Sequence, residues 1–63
     1  MSKAIITVKA CRVNAGLTQQ QLADKLGVST VTILNWEKGK TSPRLTDLKK
    51  ISELSGVPLD LIF

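Results

Sequence analysis

Apolar residues along this chain recur at steps of three and four, and no long stretch alternates between apolar and polar positions. This spacing places side chains on one face of an α-helix, so the pattern predicts an all-α fold. Four glycines divide the chain, and each follows a segment that can be helical. Because glycine favours the position just past a helix C-terminus, we predict five helices in a single domain over residues 1–63.

The first predicted helix begins near Thr7 and ends at Ala15. One of its faces collects residues at helical spacing, namely Val8, Cys11, Arg12 and Ala15. The run of residues 5–8 is also β-prone, so an extended arm over residues 3–6 is the alternative for the start of the chain.

The second and third predicted helices are separated by a very short link. Thr18 and Gln21 have the spacing of a capping box for the second helix, and Ser29 can cap a third helix that runs through Trp36. Such a link forces a steep crossing that admits only a small side chain, which Ala23 supplies. The apolar contacts of this pair are predicted to come from Leu22, Leu26, Val28, Ile33 and Trp36. The pattern is that of a helix-turn-helix over residues 19–38.

A proline marks the start of each of the last two predicted helices. Pro43 helps to start a fourth helix, whose apolar stripe is Leu45, Leu48, Ile51 and Leu54. Pro58 is allowed in the first turn of a short fifth helix that carries Leu59, Ile62 and Phe63.

The composition excludes several classes of function. With one cysteine and no histidine, the chain can form neither an internal disulfide nor a four-ligand zinc site. No acid–base set can be named, so we expect neither an enzyme nor a bound cofactor. The apolar runs are too short to span a membrane, and the first residues lack the charged head and long apolar core of a signal peptide, so we expect a reduced, cytoplasmic setting. The net charge of +4 favours an anionic partner.

The helix-turn-helix carries a specific resemblance. Residues 16–19, 27–29 and 35–40 resemble the lambda-repressor/Cro type of helix-turn-helix, known as the XRE family. The similarity covers nearly the whole chain from Val8 onward. It implies a compact five-helix DNA-binding domain of a prokaryotic or phage-encoded transcriptional regulator, with the third helix as the recognition helix.

The resemblance places residues near the start of the recognition helix against base edges in the major groove. At those places the chain has Thr30, Val31 and Thr32, and Asn35 lies one turn further along. Asn35 can form two hydrogen bonds with adenine, the threonines can donate or accept, and Val31 can contact a thymine methyl. Because neither Arg nor Gln is among these four residues, we expect modest specificity, supplemented by DNA deformability.

Phosphate contacts are predicted beside the recognition helix. The resemblance implies one at Gln19, at the start of the second helix, where free backbone N–H groups favour an anion. The others are polar or basic residues around the third helix, namely Ser29, Lys38, Lys40, Thr41 and Arg44. The family also pairs an arginine of the first helix with the glutamate after the tryptophan, and Arg12 and Glu37 occupy those places. Such a pair would orient the first helix against the end of the recognition helix.

A single recognition helix covers too few base pairs to select a site in a genome. The expected form on DNA is therefore a weak homodimer on a near-palindromic operator. Its interface is expected in the loop after the third helix and at the C-terminal end, including Leu59, Leu61 and Phe63. The alternative function is a protein-interaction or antitoxin-like accessory module that reuses the helix-turn-helix.

Overall fold

The computed structural model describes residues 5–62, which form four α-helices and one 3-10 turn. The elements are α1 (Val8–Asn14), α2 (Gln19–Leu26), α3 (Thr30–Glu37), α4 (Leu45–Ser55) and the 3-10 turn (Leu59–Leu61). The all-α prediction is confirmed for the described residues. The count of five helices is not confirmed, because the last predicted helix makes only one 3-10 turn, and Phe63 lies outside the described residues.

The C-terminal segment stops being helical because it pairs with the start of the chain. Ile62 is extended and forms an isolated parallel bridge with Ile6. The Ile6 N–H donates to the Leu61 carbonyl at 2.7 Å, so backbone bonding between distant residues replaces another helical turn. The predicted alternative, an extended arm over residues 3–6, agrees with this bridge at Ile6. Residues 3 and 4 of that arm lie outside the described residues.

A hydroxyl side chain caps each of the first three helices. The cap oxygens accept hydrogen bonds from the backbone N–H three residues onward, at 3.0, 3.1 and 3.2 Å for Thr7, Thr18 and Ser29. The Gln21 side chain also accepts from the Thr18 N–H at 2.9 Å, so the predicted capping box is present. These caps satisfy N–H groups that have no partner within the helix, and they fix where each helix begins.

The turn between α2 and α3 is set by Gly27. Its φ is +70°, a left-handed conformation that glycine adopts without a Cβ clash. The Gly27 N–H donates to Asp24 and the Val28 N–H donates to Ala23, at 3.4 and 3.0 Å, which is the bonding of a Schellman motif. Ala23, the residue predicted at the helix crossing, is completely buried. The chain therefore leaves α2 abruptly and starts α3 packed against it.

The core lies where the four helices meet. Its buried apolar residues are Val8, Cys11, Leu22, Ala23, Leu26, Ile33 and Ile51. Trp36 packs against this cluster while remaining half-buried, as its place on the Ile33 face predicts. Burial raises the pKa of the Cys11 thiol, so the thiol stays protonated and unreactive near neutral pH.

The predicted apolar stripe of α4 is wrong at both ends. Ile51 is buried, but Leu45 is 60% exposed and Leu54 is 37% exposed. Each step of three residues falls about 60° short of a full turn, so a stripe built on that step rotates away from the core. Asp47, four residues before Ile51, lies on the buried side instead and accepts a hydrogen bond from the Arg44 N–H at 3.2 Å.

No helix within residues 5–62 combines the length and apolarity that a membrane crossing requires. The same residues contain no cluster of three or more His, Cys, Asp or Glu side chains that could hold a metal ion.

Candidate nucleic-acid interface

The α3 helix presents one side to the core and another to solvent. Ile33 is completely buried, whereas Val31, two residues earlier, is 63% exposed. Thr30, Thr32 and Asn35 are half-buried. The four residues predicted to read bases thus lie on accessible parts of the first two turns of α3, and Val31 is the most exposed of them.

The two threonines of α3 differ in their hydrogen bonds. Thr32 Oγ1 lies 3.0 Å from Ser29 Oγ, and either hydroxyl can be the donor. Thr30 Oγ1 instead donates to Gln20 Oε1 on α2 at 2.8 Å. Ser29, predicted to contact phosphate, already caps α3 by accepting from the Thr32 N–H. Its own proton remains available to a phosphate oxygen when Thr32 supplies the proton of the bond between the two hydroxyls.

Asn35 has a free side-chain amide within the described part of the chain. Its backbone carbonyl accepts from the Lys40 N–H at 2.9 Å and so helps to end the helix. Within residues 5–62, the side-chain amide of Asn35 has no hydrogen-bond partner. The amide therefore keeps both a donor and an acceptor for a partner.

The segment from α3 to α4 is exposed and basic. Its predicted phosphate contacts, all exposed, are Lys38, Lys40, Thr41 and Arg44. Among the three cations of this segment, only Arg44 has a carboxylate of the described residues close by, with its Nε 3.7 Å from Asp47 Oδ2 and its side chain 83% exposed. An exposed pair at this distance contributes little, so these cations remain available to an anion.

Arg12, Glu37 and Gln19 join three helices through one partly buried network. Arg12 Nε donates to Glu37 Oε2 at 2.8 Å, and Arg12 Nη2 donates to Glu37 Oε1 at 3.4 Å. The two side chains are 13% and 6% exposed. Arg12 Nη1 donates to the Leu17 carbonyl at 2.9 Å, which ties α1 to the segment before α2. Gln19 Nε2 donates to Glu37 Oε1 at 3.1 Å, so the carboxylate at the end of α3 holds residues of α1 and α2.

Sequence reasoning missed three polar side chains near this interface. Asp47 caps α4 from the third helical position, and an acidic residue at that spacing is a recognised signal for a helix start. Gln20 Nε2 donates to Asp24 Oδ1 at 2.9 Å, a pair whose four-residue spacing can be read from the sequence. The contact of Gln20 with Thr30 has no local signal, because it depends on how α2 crosses α3.

Because the Glu37 carboxylate is paired in the folded state, we expect the free energy of unfolding to decrease in acid. Burial alone would raise its pKa, but hydrogen bonds from Arg12 and Gln19 and the charges of Arg12 and Lys9 outweigh burial and hold the pKa below the ordinary 4.5. The unfolded chain therefore takes up this proton at higher pH than the folded chain. The free energy of unfolding is expected to fall as the pH drops from about 5 toward the folded-state pKa.

Thermal melts of the parent and of Glu37→Gln across this range measure the effect. The variant is expected to be less stable near neutral pH and to lose less stability between about pH 5 and pH 3. Equal losses in both proteins would show that Glu37 does not titrate differently in the folded state.

Comparison with known proteins bears directly on this arrangement. A family model described as helix-turn-helix matches residues 8–62, a range that includes all of α1 to α4. No solved structure matches the chain significantly.

Several curated relatives are named as regulators. An uncharacterized HTH-type transcriptional regulator of Methanocaldococcus jannaschii, MJ0272, is 46% identical over 56 residues, covering 89% of this chain and 85% of the relative. The SPbeta prophage-derived regulator YonR of Bacillus subtilis is 38% identical over 55 residues, covering 87% of this chain and 51% of YonR. The CTXphi repressor RstR of Vibrio cholerae is 36% identical over 52 residues, covering 82% of this chain and 47% of RstR. The chain thus spans about half the length of the two phage proteins. Together with the helix-turn-helix formed by α2 and α3, these matches show that the chain belongs to the XRE-type helix-turn-helix family.

Proposed function

We propose that this protein is a sequence-specific transcriptional regulator that binds double-stranded DNA by inserting α3 into the major groove. The observation that carries the proposal is the two-sided α3, which buries Ile33 in the core and leaves Val31 63% exposed at its start. The major groove of B-DNA is wide enough for an α-helix, and residues at the start of such a helix reach the base edges. Relatives named as transcriptional regulators support a role in transcription.

The four proposed base-reading side chains of α3 make different kinds of contact with the bases. Asn35 has an unengaged amide that can form a bidentate pair with adenine. Val31 offers only apolar contact, which suits a thymine methyl. Thr30 and Thr32 add single hydrogen bonds at the start of the helix. Only Asn35 can make a bidentate contact, so part of the specificity comes from DNA shape and deformability.

Phosphate contacts supply most of the affinity and set the position of α3. The proposed contacts are Gln19, Ser29, Lys38, Lys40, Thr41 and Arg44. Gln19 uses one amide proton on Glu37, and the second proton remains for a phosphate oxygen. Through Glu37, the Arg12 pair fixes this amide relative to α3, which gives the buried pair an orienting role.

The salt dependence of DNA binding tests this function. Lys40→Ala and Arg44→Ala should each weaken binding to every duplex and make the log–log salt slope shallower by about one unit. Lys50→Ala removes the same charge from an exposed position on α4 and is expected to leave the slope nearly unchanged. Titrations of labelled duplex at two salt concentrations give the slopes. Slopes that stay the same in Lys40→Ala and Arg44→Ala would remove both residues from the phosphate contacts.

The competing function is a protein-interaction or antitoxin-like accessory module. A parent protein that binds no duplex at low salt would favour that function. The regulator names of the relatives favour DNA binding without enzymatic activity, and RstR is named a repressor. We accordingly propose that residues 1–63 act as one DNA-binding domain in the prokaryotic or phage-infected cytoplasm, without a cofactor.

We also propose that the protein binds a near-palindromic operator as a weak homodimer. The proposed interface is the loop after α3 together with the C-terminal end. Leu59 and Leu61 are half-buried, and Ile5, next to the Ile6–Ile62 bridge, is 65% exposed. Phe63, the remaining residue of this interface, lies outside the described residues. So small an apolar surface fits a dimer that forms mainly on DNA.

Spacing between half-sites tests the dimer. Two half-sites whose centres lie about one helical turn, ~10 base pairs, apart should bind cooperatively, because a two-fold dimer presents both recognition helices to one side of the duplex. Insertion of about five base pairs places the second half-site on the opposite side and should abolish that cooperativity. Footprinting of a spacing series measures it, and affinity that is indifferent to spacing would mean that the protein binds as a monomer.

A further inference from the structure

A chain of three polar side chains connects α2 to the first residue of α3. Gln20 Nε2 donates to Asp24 Oδ1 at 2.9 Å, and Thr30 Oγ1 donates to Gln20 Oε1 at 2.8 Å. A carboxylate only accepts hydrogen bonds, so the contact with Asp24 fixes which end of the Gln20 amide faces Thr30. That end is the carbonyl oxygen, which also only accepts. The single hydroxyl proton of Thr30 is therefore engaged within the protein.

This bond changes what Thr30 can offer to DNA. A hydroxyl has one proton and two lone pairs, and with its proton engaged Thr30 presents only lone pairs to the groove. It cannot then donate to a phosphate oxygen or to the acceptors of guanine and thymine. The donors in the major groove are the exocyclic amines of adenine and cytosine. Thr32 is not restricted in this way, because either hydroxyl of its pair with Ser29 can donate.

We propose that Gln20 is a specificity-determining residue that acts by positioning: it holds Thr30 as a pure hydrogen-bond acceptor and so biases the base beneath Thr30 toward adenine or cytosine. The inference rests on the proposed function, since it concerns how the same α3 surface reads DNA. Gln20 itself need not contact a base. Its effect passes through the Thr30 hydroxyl, and Asp24 supports it by orienting the Gln20 amide.

Base-preference profiles of matched variants test this role. Each protein selects duplexes from a library with a randomised central segment, and sequencing of the bound fraction gives the preference at every position. Thr30→Val identifies the position that Thr30 reads, because the base preference of the parent is lost there. Gln20→Leu is expected to relax the same position by about 2–10-fold, the range of one hydrogen bond, because the freed hydroxyl can also donate. The double variant should match Thr30→Val at that position.

Two further variants separate positioning from general effects. Gln20→Glu combined with Asp24→Asn exchanges the amide and the carboxylate, keeps an acceptor for the Thr30 proton and leaves the net charge unchanged, so it should retain the preference at that position. Lys25→Leu, a polar-to-leucine change at another exposed position of α2, should leave the profile unchanged. Gln20 is exposed, so these substitutions are expected to leave the thermal midpoint nearly unchanged.

The outcomes distinguish the inference from the proposed function. If the parent selects a site and Gln20→Leu has the same profile, the positioning role is wrong while DNA reading stands. A Thr30→Val profile that matches the parent's at every position would also overturn it, because Thr30 would then read no base for Gln20 to influence. A parent that enriches no sequence would instead contradict the proposed function itself.

Discussion

Arg12→Met is expected to destabilise the folded protein by ~3–5 kcal/mol, the cost of leaving one charge of a buried pair without its partner. The Glu37 side chain is only 6% exposed and, among the described residues, would keep Gln19 alone as a side-chain partner. The Leu17 carbonyl would lose its bond from Arg12 as well. A core of this size supplies only about 3–5 kcal/mol of net stability, so the variant should be largely unfolded at room temperature.

The double variant Arg12→Met with Glu37→Leu is expected to recover much of that loss, because apolar residues of similar volume can replace a buried ion pair. Arg44→Met is the matched control: it breaks the exposed pair with Asp47 and should cost less than about 1 kcal/mol. Thermal and urea unfolding of the variants measure these differences. If Arg12→Met melts like the parent, the pair does not hold α1 to the end of α3.

Asn35→Ala is expected to weaken binding to the preferred duplex by ~1–3 kcal/mol while leaving binding to random duplexes nearly unchanged. The side-chain amide makes no hydrogen bond within residues 5–62, so its removal should disturb the fold little. The expected loss comes from a bidentate contact with one adenine, which random sequences rarely present in the right place.

Affinities of Asn35→Ala for the selected duplex and for a scrambled duplex of the same length measure the effect. Lys40→Ala provides the contrast, since a lost phosphate contact should weaken both duplexes alike. Equal losses on the two duplexes for Asn35→Ala would remove Asn35 from the base-reading residues.

The starts of the helices could be predicted from the sequence because their signals are local. Thr18 and Ser29 cap α2 and α3 through bonds to residues three positions onward, a distance that the sequence displays directly. The end of the chain could not be predicted in the same way. The bridge between Ile6 and Ile62 joins residues at opposite ends of the sequence, and this tertiary pairing turned the fifth predicted helix into a 3-10 turn.

The predicted apolar stripe of α4 was wrong for a different reason. Leu45 fits a repeat of three residues, but the helix turns once in 3.6 residues, so the repeat leads away from Ile51 and the core. Asp47 has the four-residue spacing that keeps a side chain on the Ile51 face, and its cap of α4 explains why a charged residue is buried there. The four-residue spacing from Ile51, combined with the helix-capping signal at the third position of α4, would have predicted the buried position of Asp47.

The candidate site could be predicted as a set of positions but not as a set of bonds. The places of Arg12 and Glu37 followed from the family resemblance, and the structure brings them within 2.8 Å. The bonds of Gln19 to Glu37 and of Gln20 to Thr30 depend on the crossing of α2 and α3. No local pattern encodes that geometry, so these contacts emerge only from the folded chain.

Selection of duplexes from a randomised library, followed by affinity measurements on the selected duplex and a scrambled one, shows whether this protein reads DNA sequence. We expect a reproducible preferred site that binds at least about fivefold more tightly than the scrambled duplex, the least that one bidentate contact provides. Both affinities should fall steeply with salt, because phosphate contacts are common to the two duplexes. Equal affinity for the two duplexes, or no binding at low salt, would contradict the claim that this protein reads DNA sequence.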